Sequence, residues 1–211
     1  MIDILSPQIV RFDGLDPPVK KALRRMGYPA SAIDIPPEIQ AIIDEMLELT
    51  TILIKSAGMF RILKVSAHGD SQVSFENTSF TIKSKNVAKM LCKSDYVGLF
   101  MVTIGPQLED EVSALFEQGE TTRGFILDAI GSETADEAAR KMHKDVLLKL
   151  AKNNGYSITP RFSPGYGDWP LTVQEQIREI CDGGQIGVSV NKQSLMIPRK
   201  SVSAVSGLVK I

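Results

Sequence analysis

No apolar run in this 211-residue sequence approaches the ~20 residues that cross a bilayer. Its start, Met1 to Val10, is an apolar, strand-like run broken by Pro7, without the basic opening and long apolar centre of a secretion signal. A cytoplasmic location with no membrane contact is therefore expected. Cysteine is scarce: Cys92 and Cys181 lie far apart and in no Cys-x-x-Cys or metal-ligand spacing, which argues for reduced, packed thiols. Histidine occurs only as His68 and His143, neither with a Cys or another His nearby, so no metal is assigned. Excess charge of one sign is absent too, because 24 basic residues nearly cancel 25 acidic ones. No global field would draw the chain to nucleic acid. Asp182-Gly183-Gly184-Gln185-Ile186-Gly187 lacks the lysine and following helix of a phosphate loop and reads as a turn into a strand.

What is present suits a packed core. Hydrophobic residues make up 43% of the chain, enough for one sizeable domain spanning 1–211. After Asp16-Pro17-Pro18, Val19, Leu23 and Met26 recur on one helical face, with Lys20, Lys21, Arg24 and Arg25 as a solvated basic stripe opposite. Pro36-Pro37 opens a longer helix with a broad apolar stripe from Ile39 to Leu53. β-patterned runs follow at Phe60 to Val65, Ser79 to Ile82 and Tyr96 to Ile104, around a polar turn at Gly69-Asp70 and a short helix at Ser84 to Cys92. Further helices are expected from Pro106 to Gln118, from Thr121 to Lys152 and from Leu171 to Ile180. The tail reads as strands at Gln185 to Val190, Ser194 to Ile197 and Ser201 to Val209. Strands and helices mix without βαβ alternation, so the expected class is α+β with a largely antiparallel twisted sheet. Gly124 and Gly131, inside the long helix, mark close approach of a ligand or of a packed neighbour.

The densest unusual chemistry is Arg161-Phe162-Ser163-Pro164-Gly165-Tyr166-Gly167-Asp168-Trp169-Pro170. Its prolines and glycines exclude a regular helix or central strand. Arg161 offers a fork of donors for a carboxylate, and Tyr166 and Trp169 offer flat faces for a heterocycle or sulfonium. On composition alone this is a ligand-capable loop or an ordinary connection capping the sheet.

Arg-x-x-Pro-Gly-Tyr-x-x-x-Pro followed by a short helix resembles the S-adenosylmethionine-binding segment of the activation domain of cobalamin-dependent methionine synthase. Gly131-Ser132-Glu133-Thr134-Ala135-Asp136-Glu137-Ala138-Ala139, running on to Met142-His143, is similar to that family's acidic, alanine-rich helix. Ser194-Leu195-Met196-Ile197-Pro198 with Ser201-Val202-Ser203 resembles its C-terminal strand pair. The three segments keep the family's order and cover Gly131 to Gly207, while the first 120 residues match only in general pattern. The region 121–211 is accordingly the one expected to bind S-adenosylmethionine.

The resemblance implies a domain that presents S-adenosylmethionine to the cobalt of a partner's corrinoid. One-electron reduction of cobalt(II) gives cobalt(I), which attacks the sulfonium methyl and restores methylcobalamin. No catalytic residue is then required of this chain, only proximity and orientation. Residue by residue, it implies that Arg161 holds the methionine carboxylate, that Ser163, Pro164 and Gly165 give close backbone contacts, and that Tyr166 packs beside the ligand. An acidic side chain should meet the amino group. Glu133, Asp136 and Glu137 are the candidates, on one helical face, though early-helix carboxylates can also be simply solvated.

Gly167-Asp168-Trp169 replaces the family's Pro-Ala-Cys-like run, and Val205, Ser206 and Gly207 stand where an aromatic pair is expected. No Asp-x-His-x-x-Gly cobalamin motif is present. The implied role is therefore reactivation in trans of a corrinoid-binding methyltransferase, such as a methionine synthase lacking its own activation domain, with a flavodoxin-like electron donor. Cobalamin would be met only through that partner. The alternatives are an independent small-molecule methyltransferase, against which stands the lack of a Gly-x-Gly-x-x-Gly after a strand, and a structural subunit with a degenerate pocket.

Overall fold

A computed structural model describes residues 6–12, 14–28 and 35–211. Residues 1–5, within the expected first strand, lie outside the described residues. Strand β1 (Gln8–Arg11) leads to helix α1 (Val19–Arg25) and helix α2 (Pro37–Leu53). Pro18 stands at the N-cap of α1, and Pro37 opens α2, where its fixed φ and missing N–H suit a first turn. The long strand β2 (Ala57–His68) turns around Gly69-Asp70 into β3 (Gln72–Phe75), which pairs with β4 (Thr81–Lys83). Strand β3 was not expected; its alternation buries Val73 and Phe75 while Gln72 is exposed. Helix α3 (Lys85–Leu91) is capped by Ser84, whose hydroxyl accepts the Val87 N–H at 3.0 Å.

The central strand β5 (Tyr96–Thr103) is followed by α4 (Gln107–Glu117) and α5 (Thr121–Lys141). The rod beginning with α5 continues through a π-helical stretch, Met142–Leu147, into α6 (Leu148–Asn153). The single long helix expected there thus carries a change of hydrogen-bond register. Strand β6 (Tyr156–Ile158) precedes the Pro/Gly loop, and after it come a 3-10 turn, Leu171–Val173, and helix α7 (Gln174–Cys181). The tail differs from expectation at Gln185 to Val190. A 3-10 turn, Gly183–Ile186, takes its first two residues, and Asp182 and Gly187 flank that turn at φ 55° and 74°, which a strand does not allow. Only β7 (Ser189–Val190) is extended; it pairs with β8 (Met196–Ile197), and β9 (Ser201–Lys210) closes the chain.

The main sheet runs β4-β3-β2-β5-β9-β6, with β1 beside the first half of β2, and its pairings are antiparallel. A bulge between Val65 and Ala67 lets β2 serve β1 along its start and β3 along its end. Period-two alternation in β5 sends Phe100 and Val102 to the face covered by α1, α2, α4 and α5. Val97, Leu99 and Met101 go to the opposite face, covered by α3 and α7. Each such buried side chain contributes about 2 kcal/mol of transfer free energy before entropy is counted. The fold is α+β with an antiparallel sheet, as the patterning implied.

The two helical glycines answer to packing. A Cβ on Gly131 would meet the Leu108 side chain of α4, and one on Gly124 would sit 3.2 Å from the Phe116 ring. Both admit side chains of α4 against α5. Cys181 is fully buried, its thiol donates to the Leu99 carbonyl at 3.4 Å, and burial pushes its pKa far up. Cys92 is exposed and free. No described helix is long and apolar enough to cross a membrane.

Candidate functional site

The site begins with an unpaired strand edge. On one side β9 pairs with β5 over its whole length up to Leu208, and on the other β6 covers only Leu208 to Lys210. Between them Phe162 bridges Val205 through two backbone hydrogen bonds of 2.9 Å. Because Val205 turns its N–H and C=O outward to Phe162, alternation turns those of Ser203 and Ser201 the same way. There the edge has no pairing strand among the described residues, and a cavity of about 540 Å³ lies against it. Its walls are the loop from Arg161 to Tyr166, Ser132 and Asp136 of α5, Arg25 of α1, Gln174 of α7 and Met196 of β8.

The loop is closed by its own backbone. Gly165, at φ 89°, donates its N–H to the Trp169 carbonyl at 2.8 Å, and Trp169 donates to the Tyr166 carbonyl at 3.1 Å. A side chain at Gly165 would be strained and would press on Leu171. Ser163, Pro164 and Tyr166 line the cavity, whereas Gly165 stands behind them with its N–H already used. Tyr166 is 71% exposed at the rim.

Trp169 corrects an expectation. It is only 1% exposed, packed in the second core beside Phe162 with ring centroids 6.4 Å apart, and has no face toward the cavity. The loop is anchored through it.

Asp168, where the resembling family differs, is a second anchor. Its carboxylate accepts from Ser84 Oγ at 2.5 Å and from the Lys85 N–H at 2.6 Å, at the start of α3. The Ser84 hydrogen bond, then those from the Lys85 and Asn86 backbone, hold its pKa below the usual carboxylate value. A carboxylate so depressed stabilises the fold fully above the ordinary range near ~4 and loses that stabilisation as pH falls through the folded value. Asp168→Asn should therefore be less stable than the native chain at neutral pH. Urea denaturation at decreasing pH should show the difference shrinking to nothing at the acid end.

The charged groups sort themselves clearly. Arg161 Nη2 bonds Asp136 Oδ1 directly, and Lys21 Nζ lies 3.8 Å from the other Asp136 oxygen. Arg161 Nη1 is buried with no protein partner among the described residues. Glu133 instead binds Arg25 Nε at 2.8 Å, and Glu137 binds Arg140 within its own helix. The Arg140 hydrogen bond holds Glu137 below the usual carboxylate range. Of the three acidic candidates, Asp136 alone both lines the cavity and touches Arg161.

Sequence reasoning missed Arg25 and Gln174. Arg25 and Lys21 read as a solvated stripe, yet α1 packs on α5 and brings both to its acidic groups. No local pattern signals a contact made so far along the chain. Lys200 was also unforeseen. Its nearly buried ammonium binds Asp128 Oδ1 at 2.7 Å and Ser132 Oγ at 2.6 Å, lashing the start of β9 to α5 on either side of the cavity. His143, at the end of the acidic helix motif, bonds the Thr159 carbonyl at 2.9 Å and fixes the approach to the loop.

The family model for the vitamin B12 dependent methionine synthase activation domain matches residues 72–209. No curated protein matches. Among solved structures, a crystal structure of the MetH reactivation domain bound to AdoHcy is similar, at 18% identity and a TM-score of 0.73. The likeness covers 97% of this chain and 78% of that one, so it shows a shared fold that takes in the helices before residue 72. With more than half of its length matched and the fold shared, the chain belongs to the activation-domain family of vitamin B12 dependent methionine synthase.

Proposed function

We propose that the cavity beside β9 binds S-adenosylmethionine and that the chain presents its methyl group to a corrinoid held by a separate methyltransferase. The observation that carries this reading is Arg161: its guanidinium lines the cavity, one nitrogen bound to Asp136 and another buried without a protein partner. A guanidinium fork beside a carboxylate is complementary to the α-carboxylate and α-ammonium of a methionine moiety. The cavity volume falls within the range of small-molecule sites. The AdoHcy bound by the structural neighbour supports the same ligand class.

Within this proposal Arg161 holds the carboxylate and Asp136 the ammonium, while Tyr166 covers the ligand at the rim. Ser163 and Pro164 approach it through the loop backbone, and Gly165 allows the turn that brings them there. The chemistry supplied by the corrinoid is a reduced cobalt nucleophile for the sulfonium methyl. This chain contributes binding and orientation. The Asp-x-His-x-x-Gly motif does not occur in these 211 residues, which supports a corrinoid held outside them. The partner proposed is a cytoplasmic corrinoid methyltransferase without an activation domain of its own, with a flavodoxin-like reductant.

Methyl-labelled S-adenosylmethionine, a reduced corrinoid methyltransferase and this chain should together give label on the corrinoid, with one S-adenosylhomocysteine released per methyl. Omitting the chain should abolish transfer. Methylation of a small acceptor with no corrinoid present would contradict the proposal.

A further inference from the structure

We infer that Gln174 is a specificity-determining residue that reads the heterocycle of the ligand through its carboxamide N–H groups. This rests on the ligand proposed above. The polar groups around the cavity divide by charge. Arg161 and Asp136 form a charged end on the α5 side, and Gln174 and Ser203 form a neutral end on the α7 side. Phe162 opposes Val205, which sets Arg161 level with Ser206 and puts Ser203 three positions further along β9, roughly 10 Å away at 3.3 Å per residue. A zwitterion seated on the charged end leaves the neutral end for the rest of the molecule.

Gln174 is only 4% exposed, and its Oε1 accepts the Ser203 hydroxyl at 2.6 Å. That bond fixes the amide, so Nε2 is left as the free end, with no partner among the described residues. Phe162, Met196 and Val202 line the same cavity as Gln174. A donor of a nearly buried residue left open to a ligand cavity bonds water until a ligand supplies an acceptor, and a ligand that displaces the water without replacing that bond loses affinity. The adenine ring nitrogens are neutral acceptors of that kind, and a site built to bond one rejects analogues lacking it.

Two substitutions separate reading from mere positioning. Gln174→Glu keeps an acceptor for Ser203 but removes both N–H donors, whereas Gln174→Met removes everything polar. Calorimetric titration with S-adenosylhomocysteine should show affinity reduced at least tenfold in both, with the folded circular dichroism spectrum of Gln174→Glu retained. Native-like affinity in Gln174→Glu would show that the residue only positions Ser203 and would overturn the inference. A second measurement needs no variant. Of three S-adenosylhomocysteine analogues with CH in place of N1, N3 or N7, one should bind the native chain at least tenfold more weakly, and equal binding of all three would also overturn it. Failure of the native chain to bind S-adenosylhomocysteine at all would remove the underlying ligand assignment, a different result from binding that ignores Gln174.

Discussion

Replacing Arg161 by alanine should weaken S-adenosylmethionine binding on the order of 100-fold, the largest loss expected from any single substitution in this chain. The reason lies in what the guanidinium does before and after the ligand arrives. In the structure it neutralises Asp136 and keeps a further nitrogen buried beside the cavity without a partner. Under the proposed binding mode, its removal would take away the guanidinium donors for the ligand carboxylate and leave the Asp136 carboxylate to repel that group. Truncating one partner of a charge pair that a bound ligand would cover costs about 3 kcal/mol, which is roughly the factor stated. Arg161→Lys should recover only part of it, since an ammonium is a point charge and cannot match a carboxylate with two parallel N–H donors. Titration of the three proteins with one ligand stock measures all of this, and an alanine variant within threefold of native would remove Arg161 from the site.

Asp136 should produce the second largest effect. Asp136→Asn keeps the shape and an acceptor oxygen but deletes the charge that would meet the ligand ammonium, and about tenfold weaker binding is expected, near 1.4 kcal/mol. The size is smaller because the group is 39% exposed and partly screened. Glu137→Gln, by contrast, should stay within twofold, because that carboxylate is committed to Arg140 on its own helix. Sequence spacing cannot make this distinction. Residues 133, 136 and 137 share a face, and which of them reaches the cavity depends on where α1 and Arg161 stand. A profile in which Glu137→Gln falls tenfold and Asp136→Asn is unchanged would reverse the assignment.

The loop from Arg161 to Pro170 stands out in sequence because prolines and glycines interrupt every regular pattern, and it does border the cavity. The purpose of its aromatic residues was less legible. Trp169 has the composition of a ligand platform, but a large apolar side chain next to an antiparallel sheet gains more by burial, and it anchors the loop in the second core. Asp168 looked like a departure from the resembling family and proves to cap α3, a contact between residues far apart in the chain. The helices announced themselves through proline starts and apolar periodicity, and β5 through its run of β-branched and aromatic residues. The short strand β3 did not, because four residues give period-two alternation little room to show. The open edge of β9 was invisible in the sequence for another reason. Its run of serine, valine and alanine looks the same whether a neighbour pairs with it or a cavity lies there.

One binding event is central to the proposed role, and calorimetric titration of the native chain with S-adenosylmethionine tests it most directly. One ligand should bind per chain with saturable heat, and the same titration of Arg161→Ala should show little or none. A native chain that takes up no S-adenosylmethionine at millimolar ligand, or an alanine variant that binds as tightly as the native chain, would contradict it.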